Sequence, residues 1–167
     1  MMFIFTLGIA VGAFAAKKGF DSSLYRGKDK QEAGKALLEM AKKQAGKGSW
    51  ERIGVARVYY LGGMKAEGQA IFDEVTAKKP EPTDWWRIGR VYMEAGEWDK
   101  ARAAFEKSLE KNPNDDKGLA ELGSYYLLKG DREKAEELFD KSFSIEQGEV
   151  WSTSMMAGAY LGVKPQE

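Results

Sequence analysis

A regularly repeated pattern of residues constrains the fold of this 167-residue chain more than any other feature. The repeated landmarks are Trp85, Ile88, Gly89, Tyr92 and Gly96, matched 34 positions later by Leu119, Leu122, Gly123, Tyr126 and Gly130. We call this separation one repeat period. The match continues with Ala101 and Ala135, Phe105 and Phe139, and Ser108 and Ser142. A third copy lies upstream, at a separation one position shorter, with Tyr59, Gly63, Phe72 and Pro80. Such a period is typical of solenoids, in which each repeat buries its apolar face only against its neighbours.

Each repeat has the pattern of two helices. Trp85, Ile88 and Tyr92 are spaced i, i+3 and i+7, so they form one apolar stripe on a first helix. The alternation of apolar and polar residues that marks a half-buried strand is missing from the chain. The pattern therefore predicts an all-α fold.

The predicted helix ends have their own signals. Gly96 and Gly130 fall between the paired helices, where a left-handed residue ends the first helix. Asp99 and Asp131 are predicted N-caps of the second helices. Pro113 follows the second helix of the middle repeat and prevents its continuation.

These residues resemble the tetratricopeptide-repeat (TPR) family, whose pattern is W-x2-L-G-x2-Y, then A-x3-F, then P. The resemblance implies a TPR-type α-solenoid of antiparallel helix pairs, wound as a right-handed superhelix. It implies full repeats at 49–81, 82–115 and 116–149. Residues 150–167 are predicted to be a capping helix and tail, and residues 16–48 an irregular or partial repeat. In that partial repeat, Ala33, Leu37 and Ala41 are predicted core residues of a second helix.

The first sixteen residues, MMFIFTLGIAVGAFAA, carry no charged side chain. This run is shorter than the roughly 20 residues of a membrane-spanning helix. It ends near Ala13-Phe14-Ala15, a small-x-small pattern that signal peptidase accepts, so we predict a signal peptide at 1–15 and a periplasmic or secreted protein. Two alternatives stay open. An uncleaved anchor followed by Lys17 and Lys18 would hold the repeats at the cytoplasmic face of the inner membrane, and an apolar helix could instead pack on the solenoid end.

The composition excludes several classes of chemistry. The chain has no cysteine and no histidine, so it lacks thiolate nucleophiles, disulfides and the commonest metal ligands. Lys+Arg and Asp+Glu both total 26, which argues against nucleic acid as a partner. No cluster suited to catalysis is found, so we predict no enzyme activity, cofactor, metal ion or small-molecule substrate.

The balanced charge is unevenly distributed along the chain. Residues 17–48 carry nine basic and four acidic side chains, whereas residues 116–149 carry five basic and nine acidic ones. An asymmetry of this kind can orient a partner along the solenoid.

The resemblance also implies a concave groove lined by the first helices. Residues one step off the apolar stripe are predicted to line it: Trp50, Ile53, Arg57, Tyr60, Trp86, Arg90, Met93, Lys117, Ser124 and Leu127. Trp85 occupies the core position of the family pattern, so Trp86 is predicted to face the groove, and Arg90 to meet a ligand carboxylate. The alternative is that Trp86 packs on a neighbouring helix while the arginines are solvated.

The functional prediction is a non-catalytic scaffold in the bacterial cell envelope that binds an unidentified protein or peptide segment in the groove. The alternative is self-assembly, in which the unusually apolar residues 150–162 form a homodimer. Contact with a membrane is expected only if the N-terminal segment is retained.

Overall fold

The computed structural model describes residues 21–165, and this part of the chain contains α-helices and no strand. The all-α prediction is therefore confirmed for these residues. The helices are α1 (Lys30–Ala45), α2 (Ser49–Leu61), α3 (Lys65–Thr76), α4 (Pro82–Glu94), α5 (Trp98–Lys111), α6 (Asp116–Leu128), α7 (Arg132–Ile145) and α8 (Val150–Tyr160). None of these helices is both long and apolar enough to cross a membrane. The predictions for residues 1–15 lie outside the described part of the chain.

The chain divides into two compact units, with the boundary between Leu37 and Leu38 inside α1. In the first unit, a short 3-10 helix (Ser22–Leu24) begins at Asp21, whose carboxylate accepts a hydrogen bond from the Ser23 N–H at 3.0 Å. The second unit contains the end of α1, the other seven helices and the hydrophobic core.

The second unit is a TPR-like solenoid of helix pairs. The pairs are α2 with α3, α4 with α5, and α6 with α7, and α8 packs on α6. Phe105 is fully buried where adjacent repeats meet, 4.5 Å from the ring of Trp86 and stacked on Tyr125 at 5.6 Å. The core is therefore continuous from one repeat to the next, as the repeat pattern requires.

The helix ends agree with most of the sequence signals. Gly96 and Gly130 have φ values of +75° and +91°, so both lie in the left-handed region as predicted. The carboxylate of Asp131 caps α7 by accepting a hydrogen bond from the Lys134 N–H at 3.1 Å. The prediction for Asp99 is wrong, because α5 begins at Trp98, two residues earlier than a cap at Asp99 requires, and Glu97 is its N-cap residue.

The predicted core register of α1 is also wrong by one residue. Leu38 is buried, whereas Leu37 is 37% exposed. Leu38 lies one repeat period before Phe72, so it occupies the position at which the repeats place their large second-helix residue. In α3 both equivalent positions, Ile71 and Phe72, are buried, so the exposure of Leu37 is particular to α1.

The close approach of α2 and α3 yields a prediction about Gly68. A methyl group at Gly68 would lie 2.8 Å from both the Ala56 carbonyl oxygen and the Tyr60 backbone nitrogen, and neither backbone atom can move freely. We expect Gly68→Ala to lower the free energy of unfolding by about 1–3 kcal/mol, because overpacking outweighs the gain of up to ~1 kcal/mol in helix propensity. Urea unfolding followed by circular dichroism measures the change.

Gly54 in α2 provides the matched control, since no described atom lies within 4 Å of a methyl group placed there. Gly54→Ala is expected to raise stability by about 0.5–1 kcal/mol. A Gly68→Ala protein as stable as Gly54→Ala would contradict this account of the helix contact.

Candidate protein-binding groove

Three adjoining depressions open on the side of the solenoid formed by the first helices, and we call them together the groove. Their volumes are about 330, 420 and 350 Å³. The first and central depressions share Arg90, Lys117 and Glu121, and the central and third share Lys164 and Pro165. The groove thus extends from Trp50 on α2, across α4 and α6, to α8 and the segment after it.

The central depression combines positive charge with apolar walls. Its three cationic side chains, from Arg90, Lys117 and Lys164, face one carboxylate, from Glu121. The apolar and small residues around them are Trp151, Met155, Gly158, Val163 and Pro165, with Ser154 beside them. The formal charge of the lining is therefore 3 − 1 = +2, which favours an anionic ligand group next to apolar surface.

Exposed tryptophan side chains line the first and central depressions. Trp151 is 65% exposed at the start of α8. Trp50 is also exposed at the start of α2, and the Arg87 guanidinium lies 3.5 Å from the centre of its ring. Exposed aromatic rings of this kind are common anchors of protein interfaces.

The structure places Trp86 at the border of the first depression but buries most of its side chain. This side chain is only 8% exposed, and its Nε1–H donates to Glu121 Oε2 at 2.9 Å. Trp85 instead packs at the edge of the core, where the Lys107 ammonium lies 4.4 Å from its ring centre. The physical reason is that the position after the apolar stripe faces the first helix of the next repeat, which covers it.

Glu121 organises the floor of the central depression. Its nearly buried carboxylate accepts hydrogen bonds from Trp86 and from the Arg90 guanidinium, whose Nε and Nη2 lie 2.8 and 2.5 Å from the two oxygens. Arg90 therefore already contacts a carboxylate of its own chain. It still borders the depression, because its side chain is about one-third exposed.

The other predicted groove residues differ in their placement. Ile53, Tyr60 and Ser124 are buried in the core, so their predicted exposure is wrong for the same reason as that of Trp86. Arg57 is exposed and pairs with Glu94 at 2.8 Å. Met93 lines the third depression, Lys117 the first and central ones, and Leu127 is half-buried outside all three.

Tyr60 is buried, and its hydroxyl belongs to a charged cluster around Glu97. Its hydroxyl donates to Glu97 Oε2 at 2.6 Å, and the Lys65 and Lys100 ammonium groups lie 2.6 and 2.8 Å from the same carboxylate. Hydrogen bonds from Lys100, Lys65 and Tyr60 lower the pKa of Glu97 from its ordinary 4.5 to about 2. The cluster connects α2, α3 and α5, and so it ties two repeats together.

Sequence analysis missed several groove residues. The main ones are Arg87, Glu121, Trp151, Met155, Lys164 and Pro165. A signal for Trp151 was present, because it lies one repeat period after Lys117, a predicted groove residue. Segment 163–165 carried no such signal, since its position depends on a chain reversal in which the Val163 N–H donates to the Gly158 carbonyl at 2.8 Å.

Within residues 21–165, no group of three or more Asp or Glu side chains is arranged to hold a metal ion.

Comparison with protein families identifies the repeat. Residues 82–115 and residues 104–137 each match a family model described as tetratricopeptide repeat. The crystal structure of MamA is similar to this chain with a TM-score of 0.55, covering 79% of this chain and 77% of that one. The sequence identity is 19%, so this similarity concerns the fold alone.

Curated relatives match over part of this chain. The general transcriptional corepressor trfA of Dictyostelium discoideum is 38% identical over 69 residues, which are 40% of this chain and 5% of that protein. The BBSome complex member BBS4 of Bos taurus is 32% identical over 65% of this chain and 21% of its own length. The protein O-mannosyl-transferase TMTC1 of Mus musculus is 25% identical over 67% of this chain and 12% of its own length. This chain thus spans about a fifth of these relatives or less.

The Glu97 cluster predicts a pH dependence of stability. The folded-state pKa of Glu97 is about 2, below its ordinary 4.5, so the unfolded state takes up a proton first as the pH falls. The stabilisation from Glu97 is complete above about pH 5 and is lost towards pH 2. Glu97→Gln should lower stability by about 1 kcal/mol at pH 7, where partial exposure screens the pairs, and the difference should shrink in acid.

Urea unfolding of both proteins at several pH values between about 5 and 2 measures this difference. Glu110→Gln, on the exposed side of α5, controls for the loss of one negative charge. A constant difference between wild type and Glu97→Gln across the range would contradict the assignment.

Proposed function

Because the chain contains tetratricopeptide repeats, we propose that it is a non-catalytic scaffold that binds a peptide or protein segment along the groove. The observation that carries the proposal is the central depression, where a net positive lining lies beside the exposed Trp151. Stacked repeats form extended binding surfaces of this kind. The names of two relatives, a transcriptional corepressor and a member of a complex, fit a partner-binding role.

The lining of the central depression selects the chemistry of the ligand. Lys117 and Lys164 are exposed and present ammonium groups from two sides, while Trp151 and Met155 provide apolar contact area. A segment with an acidic side chain next to a bulky apolar one satisfies both features, because the carboxylate gains charge-assisted hydrogen bonds and the apolar group leaves water. The Lys117 ammonium lies 3.6 Å from Glu149 in an exposed ion pair. Such a pair contributes little free energy, so Lys117 can exchange it for a ligand carboxylate.

The absence of a catalytic role rests on the chemistry of the groove. The sequence contains no histidine or cysteine, so Ser154 in the central depression has neither side chain available as a base or partner. The name of TMTC1 is that of a transferase, but the match covers 12% of that protein. A similarity over so small a part of a protein does not transfer its activity.

We further propose that the scaffold works in the bacterial cell envelope, in the periplasm or outside the cell. The support is the uncharged run at residues 1–16 and its small residues around Ala15. Retention of the segment would instead hold the repeats at the cytoplasmic face of the inner membrane. Cell fractionation with N-terminal sequencing of the mature protein is expected to give an exported chain that begins at Ala16, and an intact Met1 in the membrane fraction would contradict cleavage.

The second candidate function is self-assembly through α8. The supporting observation is the exposure of Val150 and Leu161, which are 63% and 81% accessible at the two ends of this helix. Large exposed apolar residues close together on one helix favour an interface with another protein surface. A symmetric dimer in which two α8 helices face each other would stop at twice the mass of the chain.

The groove proposal predicts which peptides bind. Selection from a random displayed peptide library on the purified chain should enrich peptides with Asp or Glu adjacent to Trp, Phe or Leu. Trp151→Ala should weaken a selected peptide about tenfold or more, because an exposed aromatic anchor commonly contributes more than about 1.4 kcal/mol. Lys117→Glu should also weaken binding, and the loss of affinity should be larger at low salt than at high salt, because salt screens the charge interaction.

Phe143→Ala is the matched control, because Phe143 is an exposed aromatic residue on α7 outside the groove. It should leave the affinity unchanged. Selected peptides that bind Trp151→Ala and Lys117→Glu as tightly as wild type would place the binding surface elsewhere and contradict the proposal.

A further inference from the structure

The chain crosses its own groove shortly after α8. Residues 163–165, which we call the strap, have an extended backbone, and Pro165 is buried whereas Val163 and Lys164 are exposed. Lys164 and Pro165 line both the central and the third depression, and in the described part of the chain these two depressions share no other lining residue. The strap therefore lies between them.

The two depressions are otherwise successive parts of one valley between α4 and α6. On α4, Arg90 lines the central depression and Met93 the third. On α6, Glu121 lines the central depression and Tyr125 the third. Residues three or four positions apart lie on the same face of a helix, about one turn from each other. The same two helix faces thus continue from one depression to the next, and the strap interrupts the valley between them.

A tight turn at the end of α8 directs the chain into this valley. Gly162 has a φ of +78°, and its N–H donates to the Ala159 carbonyl at 3.1 Å. The Val163 N–H donates to the Gly158 carbonyl at 2.8 Å. A left-handed glycine with these two hydrogen bonds is a Schellman motif. Because a side chain is strained at this φ, the path of the strap depends on Gly162.

The last residue of the strap is suited to remain in the valley. Pro165 has no backbone N–H, so its burial leaves no donor without a partner. Its ring fixes its own φ and restricts Lys164 to an extended backbone. A segment restricted in this way has little conformational entropy to lose when it packs. The strap is therefore a stable occupant of the valley.

We propose that the strap limits the length of the segment that the groove binds. This inference rests on the proposed function and specifies which partner segments fit it. A short motif with an acidic and a bulky apolar residue fills the central depression beside Trp151, while the strap stays in place and Lys164 forms one wall. A segment that continues along the valley to Met93 has to displace Pro165. The preferred partner is a short motif whose chain leaves the groove before the strap.

Two effects offset what a longer segment gains in the third depression. Displacement of the strap exposes the buried ring of Pro165 to water. It also removes Lys164 from the central depression, so the formal charge of the lining falls from +2 to +1, because two cations and one carboxylate remain. The attraction for an acidic side chain is then weaker.

Peptide extension tests the inference on the full chain. A short peptide selected on the groove is kept fixed as the core, and about six randomised residues, which reach roughly 20 Å when extended, are added at either end. Selection is carried out on wild type and on Gly162→Val, in which a β-branched side chain disfavours the left-handed turn. On Gly162→Val, extension at one end should improve the affinity over the core about tenfold. On wild type the same extension should add less than about twofold, because the strap closes the third depression.

Gly162→Asn is the matched control, because asparagine tolerates the left-handed conformation and so keeps the turn. It should behave as wild type does. Release of the strap is measured directly by hydrogen exchange at the residue 163 amide, which should be protected in wild type and Gly162→Asn and exchange faster in Gly162→Val. If Gly162→Val retains this protection, Pro165→Gly takes its place, because it removes the buried ring and the fixed φ.

Leu128→Ala locates the extension. Leu128 lines the third depression and not the central one, so in the Gly162→Val background its loss should remove the gain from extension and leave the affinity of the core peptide unchanged. The inference is overturned if the extension improves binding to wild type as much as to Gly162→Val. It is also overturned if no extension improves binding to a variant whose strap is released, while the core peptide still depends on Trp151. A core peptide that binds Trp151→Ala as tightly as wild type contradicts the proposed function itself, and the inference falls with it.

Discussion

The close contact between the first and second helix of each repeat is the interaction on which the rest of the structure depends. Small residues allow it: Gly68, Gly89 and Gly123 leave no room for a side chain, and Ala101 and Ala135 are fully buried. Beside Gly89 and Gly123 the space is filled by an aromatic ring of the partner helix, from Phe105 and Phe139 respectively. Because a pair of helices packed in this way still exposes apolar surface on both sides, neighbouring pairs must stack, and the stack creates the groove.

Polar contacts then determine which side chains the groove can offer a partner. Stacking the first helices buries Trp86 and Tyr60, and burial obliges their polar atoms to find hydrogen bonds. Glu121 and Glu97 satisfy them, and each carboxylate also pairs with cations. These side chains therefore hold repeats together, and the exposed surface is left to residues such as Trp151.

The sequence predicted the fold better than it predicted the groove, and the reason is geometric. The repeat period and the glycines after the first helices specify helix pairs, because these signals act within one repeat. Whether Trp86 or Ile53 is exposed depends on how closely the next first helix approaches, which is a property of two repeats that one-dimensional spacing does not contain. The groove position of Trp151 could have been predicted from the sequence, because Trp151 shares the repeat position of Lys117.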